Sequence, residues 1–237
     1  MLARSSINSF HSHMNSGFYA GPRLPLNVKA RPTGLARRLL RCLTSIGQWR
    51  PGKPRNISLN AYFRDALFYP SASISSLYGG GYWKIGDGSL IGASLVCETP
   101  DACIEIGEHS FLSPGSFVVA AKEIRIGNNV LIARNVTIQD NDSHSLDWKN
   151  RINDVDLTVA RFRGVPSKSK DFSLVPAETV EIGDNVWIGM SSIILKGVRI
   201  GHRAVIGAGS LVTRDVPDDT LAVGNPARVI KHLDQKS

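Results

Sequence analysis

A six-residue beat runs through the last two-thirds of the chain and limits the fold more than any other feature. Each hexad opens on an aliphatic residue, usually followed by glycine, and carries a small or β-branched residue at its fifth position. The clearest run opens at Ile182, Ile188, Ile194, Ile200, Ile206 and Val212. Earlier runs open at Ile85, Ile91 and Cys97, at Ile106, Leu112 and Val118, and at Ile126, Ile132 and Ile138. Such a period marks a solenoid built of short strands. Positions one and five flank a strand residue on the same side and so both point inward. Position five is held by Ser89, Ser110, Ser116, Val130, Val136, Val186, Ser192, Val198, Ala204 and Ser210, small enough for a narrow interior. Three hexads close one triangular coil, and coils stack at about the inter-strand spacing of 4.8 Å. The distances Ile85–Ile106 and Ile106–Ile126 are 21 and 20 residues rather than 18, which places bulges near Thr99–Asp101 and Lys122–Glu123.

Charge divides the chain. Of 237 residues and a formal net charge of +8, the first 64 hold eleven Lys or Arg and no Asp or Glu, against 17 basic and 20 acidic in the rest. The basic excess therefore belongs to the N-terminal segment. No nucleic-acid motif accompanies it, so no nucleic-acid partner is expected; an acidic membrane surface suits it better. Leu35, Leu39, Leu43 and Ile46 share one helical face and Arg37, Arg38 and Arg41 the other. The expectation is a helix packed on the solenoid or a neighbouring subunit, with peripheral membrane contact through residues 1–55 as the sharper reading. No signal peptide and no run of about 18 apolar residues is evident. Cys42, Cys97 and Cys103 lack metal or disulfide spacing, and a cytoplasmic setting follows. The divisions expected are a basic segment 1–65, a β-helix 66–217 and a tail 218–237.

The beat stops after Ile138 and resumes at Ile182. Residues 139–179 form an excursion too long for an idle connection. At its start Asp140, Asp142 and His144 lie within five positions, and His144 is its only histidine. A histidine beside carboxylates is the usual general base at neutral pH. The bland reading is a solvated loop histidine in an acidic turn.

The hexads, the V-W-I-G at 186–189, the I-G-A-G-S-L-V-T-R-D-V-P at 206–217 and the G-N-P-A-R at 224–228 resemble the hexapeptide-repeat acyltransferases, nearest the sugar and polysaccharide O-acetyltransferases such as the maltose and galactoside enzymes. The resemblance spans roughly residues 66–235. It implies a left-handed parallel β-helix of about five to six coils, a homotrimer with active sites between subunits, and acetyl-coenzyme A as co-substrate, with no metal. It implies His144 as general base, Asp140 or Asp142 orienting it or holding a sugar hydroxyl, and the Met190 backbone N–H as oxyanion donor. The positions matching coenzyme A contacts are Gly189, Gly207, Ala208, Gly209, Thr213, Arg214, Pro226, Arg228 and Lys231. The relatives' sugar-binding asparagine and acid fall on Gly115 and Ala120–Ala121 here, so the acceptor is expected to be held differently. Trp148 and Arg151 are the candidates for a glycan or lipid-linked sugar. The rival readings are N-acetylation of an amino sugar, a trimeric scaffold without catalysis, and a γ-type carbonic anhydrase, which lacks the necessary histidines.

Overall fold

The computed structural model describes residues 61–165 and 168–233. The amphipathic stretch around Leu35–Ile46 and the membrane contact expected of residues 1–55 lie outside them. The first coil is β1 (Ala61–Tyr62), β2 (Leu67–Phe68) and β3 (Ser73–Ser76). The second is β4 (Tyr82–Ile85), β5 (Leu90–Ile91) and β6 (Ser94–Cys97), and the third β7 (Cys103–Ile106), β8 (Phe111–Leu112) and β9 (Phe117–Ala120). The fourth is β10 (Glu123–Ile126), β11 (Leu131–Ile132) and β12 (Thr137–Gln139). Then comes the excursion, with helices α1 (Trp148–Arg151) and α2 (Asp154–Phe162) and a 3-10 turn at Phe172–Leu174. The fifth coil is β13 (Val180–Ile182), β14 (Trp187–Ile188) and β15 (Ile193–Ile194), and the sixth β16 (Arg199–Ile200), β17 (Val205–Ile206) and β18 (Leu211–Val212). A hairpin of β19 (Thr220–Gly224) and β20 (Ala227–His232) ends the described chain. Three parallel sheets result, here called A, B and C for the first, second and third strand of each coil, and β19–β20 extend sheet B. The six coils agree with the repeat reading. No helix among the described residues is long and apolar enough to cross a membrane.

The interior is the stack of hexad openers. Ile91, Leu112, Ile132, Ile188 and Ile206 lie one above another on sheet B, each at most 1% exposed. Position five does more than fill space. The Ser89 hydroxyl donates to the Gly107 carbonyl at 2.8 Å and accepts from the Ser110 N–H at 3.0 Å. Ser110 and Ser116 repeat the pattern one coil up, on Gly127 and Val130 and on Ala133 and Val136. A buried hydroxyl that both donates and accepts between coils meets the requirement that interior polar atoms be paired.

The register of the second coil differs from the expected one. Leu95, not Cys97, is the in-register partner of Val118, while Cys97 faces Ala120. Ile91 to Leu95 is four residues where six are usual, and Leu95 to Ile106 is eleven. The corner at Gly92–Ala93 is thus shortened and the turn around Thr99–Asp101 lengthened. Only the net excess of three was visible as a broken period. Cys97 remains interior, fully buried. The two-residue excess near Lys122 falls at Ala121–Lys122, in the bend just before β10.

The corner between sheets A and B is stapled by side chains. The Asn128 amide oxygen accepts from the Glu108 N–H at 2.8 Å. Asp184 accepts from the Asn128 N–H at 2.7 Å, His202 Nδ1 from the Asp184 N–H at 3.0 Å, and Asp218 from the His202 N–H at 3.0 Å. His202 is one rung of this column. Each rung satisfies a backbone donor that the strand ladder cannot reach. Replacing Asp184 by Ala removes one acceptor and strands a part-buried N–H, which should cost about 1–3 kcal/mol in urea unfolding. A change near zero would show the column to be decorative.

Candidate functional site

The excursion leaves the solenoid through a narrow neck. Asn141 and Ala177 form an antiparallel bridge, the Asp142 N–H donates to the Pro176 carbonyl at 3.1 Å, and the Glu178 N–H donates to the Asp140 carbonyl at 2.8 Å. Asp140 is the anchor. Its fully buried carboxylate accepts from the backbone N–H groups of Ala121, Lys122 and Glu123 at 2.7, 2.7 and 2.6 Å, and from the Asn141 amide at 3.0 Å. The two-residue bulge at Ala121–Lys122 is what turns three consecutive donors toward one point. Burial pushes the Asp140 pKa up, and these donors pull against it.

Beyond the neck the Asn141 side chain accepts from the Ser143 N–H at 2.7 Å, and Ser143 takes a positive φ of 60°. This tight reversal aims His144 at the start of α2. His144 Nδ1 lies 2.5 Å from Asp154 Oδ2. Lys170 Nζ lies 3.0 Å from that same Asp154 oxygen and 3.0 Å from His144 Nδ1, and it donates to the Ser143 carbonyl. Asp154 and Lys170 are largely buried, while the His144 side chain is 55% exposed. Burial would raise the Asp154 pKa, but hydrogen bonds to His144 and Lys170 outweigh it and hold the carboxyl below the usual range.

The carboxylate on His144 is therefore neither of the two expected. Asp140 is spent on the backbone, and Asp142 pairs with Lys196 Nζ at 2.6 Å. Asp154 was missed because it is ten residues downstream and only the folding of α1 and α2 brings it back. Lys170 was missed for the same reason. The signals in the sequence were Asn153-Asp154, a helix-start pair, and the two lysines, Lys168 and Lys170, after the second helix. Trp148 is 58% exposed at the start of α1, open to a ligand. Arg151 instead donates to the carbonyls of Ser145 and Leu146 at 2.9 and 2.7 Å, closing the turn it sits on. The excursion reaches down the same edge of the prism to the first coils: Arg161 stacks on the Tyr78 ring at 5.3 Å, and Tyr78 meets Phe172 edge-on at 5.8 Å.

The coenzyme candidates divide between two edges. Gly189, Met190, Gly207, Ala208 and Gly209 lie at the corner joining sheets B and C, where the Gly209 N–H donates to the Met190 carbonyl at 2.8 Å. A side chain at Gly189 would collide with the Ala208 backbone, whereas the space beside Gly209 is empty. Pro226, Arg228 and Lys231 lie on the adjoining β19–β20 hairpin, and Arg228 and Lys231 are exposed with no carboxylate within salt-bridge distance among the described residues. Thr213 and Arg214 follow β18 at the corner joining sheets C and A, the edge that carries His144 two coils below. Within one chain, His144 and the Met190 lane thus stand on different edges of the prism. Among the described residues no group of three or more His, Cys, Asp or Glu is placed to hold a metal ion.

The assignment of Asp140 can be checked directly. Asp140→Ala strands three donors at the bulge and should lower the unfolding free energy by about 3 kcal/mol or more. Asp142→Ala, which loses one partly exposed ion pair, should change it by about 1 kcal/mol or less. Equal losses in denaturant titrations would refute the division of roles.

The family model "Bacterial transferase hexapeptide (six repeats)" matches residues 179–214. Galactoside O-acetyltransferase of Escherichia coli is 35% identical over 133 residues, 56% of this chain and 56% of that one. The chain spans 55–65% of the length of the curated relatives it matches first. Among solved structures, the polySia-specific acetyltransferase NeuO superposes with a TM-score of 0.57 at 26% identity, covering 73% of this chain and 72% of that one. A hexapeptide-repeat acetyltransferase of Vibrio cholerae, solved with acetyl-coenzyme A, is 30% identical with a TM-score of 0.50, covering 66% of this chain and 73% of that one. With these neighbours the solenoid is a left-handed parallel β-helix, and the chain belongs to the hexapeptide-repeat acyltransferase family.

Proposed function

We propose that the protein is an acetyl-coenzyme A-dependent O-acetyltransferase that modifies a sugar hydroxyl, in a cell-surface polysaccharide or its lipid-linked precursor, with His144 as general base. The observation that carries this reading is the His144–Asp154 pair at 2.5 Å. An ionised carboxylate can only accept, so in the neutral imidazole Nδ1 carries the proton and Nε2 keeps its lone pair. That nitrogen takes the proton of the acceptor hydroxyl as its oxygen attacks the thioester carbonyl. The tetrahedral oxyanion is met by the Met190 N–H, a backbone donor indifferent to the departure in side chain. Collapse forms the ester and expels the coenzyme thiolate, which recovers the proton from His144. The empty lane beside Gly209 takes the pantetheine arm, and Arg228 and Lys231 meet the phosphates. Galactoside O-acetyltransferase relatives at 35% and 34% identity and a polySia-specific acetyltransferase neighbour support the class of acceptor.

The same reading requires a homotrimer, because His144 and Met190 stand on different edges of one prism and meet only when a neighbour supplies the second edge. The surface supports it. The outward residues of sheet B are Leu67, Leu90, Phe111, Leu131, Trp187, Val205 and Leu221, a continuous apolar column in one register. Trp187 is 54% exposed. Sheet A instead presents Lys84, Glu105, Arg125, Glu181 and Arg199, an alternating ladder of charge. An apolar column of that length on an isolated chain marks a surface that another chain covers.

The test is release of free coenzyme A from acetyl-coenzyme A with a panel of glycan acceptors. Wild type should show acceptor-dependent release. His144→Ala should lose about 10²–10⁴-fold in kcat while still binding acetyl-coenzyme A. A folded wild type that binds no acetyl-coenzyme A would leave a scaffold. Trp187→Lys should shift the sedimenting species from trimer toward monomer and abolish turnover with it; a monomeric variant with full activity would refute the shared site.

A further inference from the structure

The environment of His144 contains a cation that a simple histidine–carboxylate pair does not need. Lys170 Nζ lies 3.0 Å from both His144 Nδ1 and Asp154 Oδ2 and donates to the Ser143 carbonyl. Its side chain is only 13% exposed. An ammonium group has no lone pair, so its protons go to the Asp154 carboxylate and the Ser143 carbonyl. Those two bonds fix both walls of the slot that holds the imidazole. Ser143 sits in a positive-φ reversal directly before His144, and Asp154 is the first residue of α2. The lysine thereby ties the peptide preceding the base to the helix that carries its carboxylate.

The charge has a second consequence. When His144 takes up a proton, the imidazolium gains attraction from Asp154 but stands about 3 Å from an ammonium, where repulsion between like charges is strong in a partly buried site. Lys170 therefore opposes the attraction that Asp154 offers the imidazolium. The other ionisable groups around this corner are already committed or set back. Glu98, on the second-coil corner, accepts from the Asn141 amide at 3.0 Å; Asp142 is paired with Lys196; and Asp140 is buried on the backbone.

We propose that Lys170 is a positioning residue for the reaction assigned to His144: it clamps Asp154 to the Ser143 carbonyl and holds a positive charge 3.0 Å from Nδ1 that opposes uptake of a second proton by the imidazole. The proposal rests on the reading of His144 as general base. Its chemistry can nevertheless be observed without turnover.

The experiment follows the His144 imidazole by NMR titration in the full-length protein, and in parallel the pH profile of acetyl transfer. Wild type is compared with Lys170→Met, Lys170→Gln and Lys170→Arg. Removing the charge should move the His144 titration midpoint, and the acid limb of the profile, upward by about one pH unit. The KM for acetyl-coenzyme A should not change. Lys170→Arg should restore the wild-type midpoint. Lys170→Gln keeps a donor for the Ser143 carbonyl without charge, and so reads the electrostatic part if Lys170→Met folds poorly. A midpoint unmoved in both neutral variants, with only a lowered melting temperature or uniformly lower kcat, would overturn the proposal and leave Lys170 as a fastener. Absence of acetyl transfer in wild type would instead refute the enzymatic reading, while the titration would still decide the role of Lys170.

Discussion

Every feature of this protein depends on parallel strands staying in register from one coil to the next. The two-residue strands of sheet B and of the last coil give few ladder bonds, so the register needs help. It comes from inside, through serine hydroxyls that both donate to and accept from the next coil, and from outside, through the Asn128–Asp184–His202–Asp218 column. Both use side chains as substitutes for backbone partners. The aliphatic stack supplies most of the driving force but is indifferent to small slips. The polar rungs are directional and penalise a slip by leaving donors unpaired.

The same economy builds the site. Two surplus residues at Ala121–Lys122 cannot join a strand, and their N–H groups would be left over. Asp140 collects them, and by doing so fixes the point at which the chain departs from the coil. A break in the repeat and a fixed loop are thus one structural event. The excursion then turns on Asn141 and Ser143 and folds back through α2, so that a residue ten positions away becomes the partner of His144.

The repeat was legible in the sequence because its signal is summed over many hexads. The triangular coil, the interior residues and the limits of the excursion follow from Ile182 to Val212 almost by counting. The displaced register at Leu95 was hidden because a corner shortened by two and a turn lengthened by five leave one modest excess. His144 was legible as the sole histidine of the excursion. Its partner was not, since nearness in sequence favoured Asp140 and Asp142, and proximity along a chain says little once two helices intervene. The outward column on sheet B could have been read from the residue before each opener: Leu90, Phe111, Leu131 and Trp187 stand there. The repeat drew notice to the interior positions instead.

The neck of the excursion gives the molecule a modular construction. Asp140, the Asn141–Ala177 bridge and the bonds from Asp142 and Glu178 join the inserted segment to the coil it interrupts. Their geometry is set by the solenoid and not by what lies between them. The segment from Ser143 to Val175 can therefore diverge in length and chemistry while the glycine corner beside Met190 stays unaltered on its own edge. Selection for a new acceptor could act on this cassette without disturbing the fold, provided that each replacement again returns a carboxylate to the imidazole at its base.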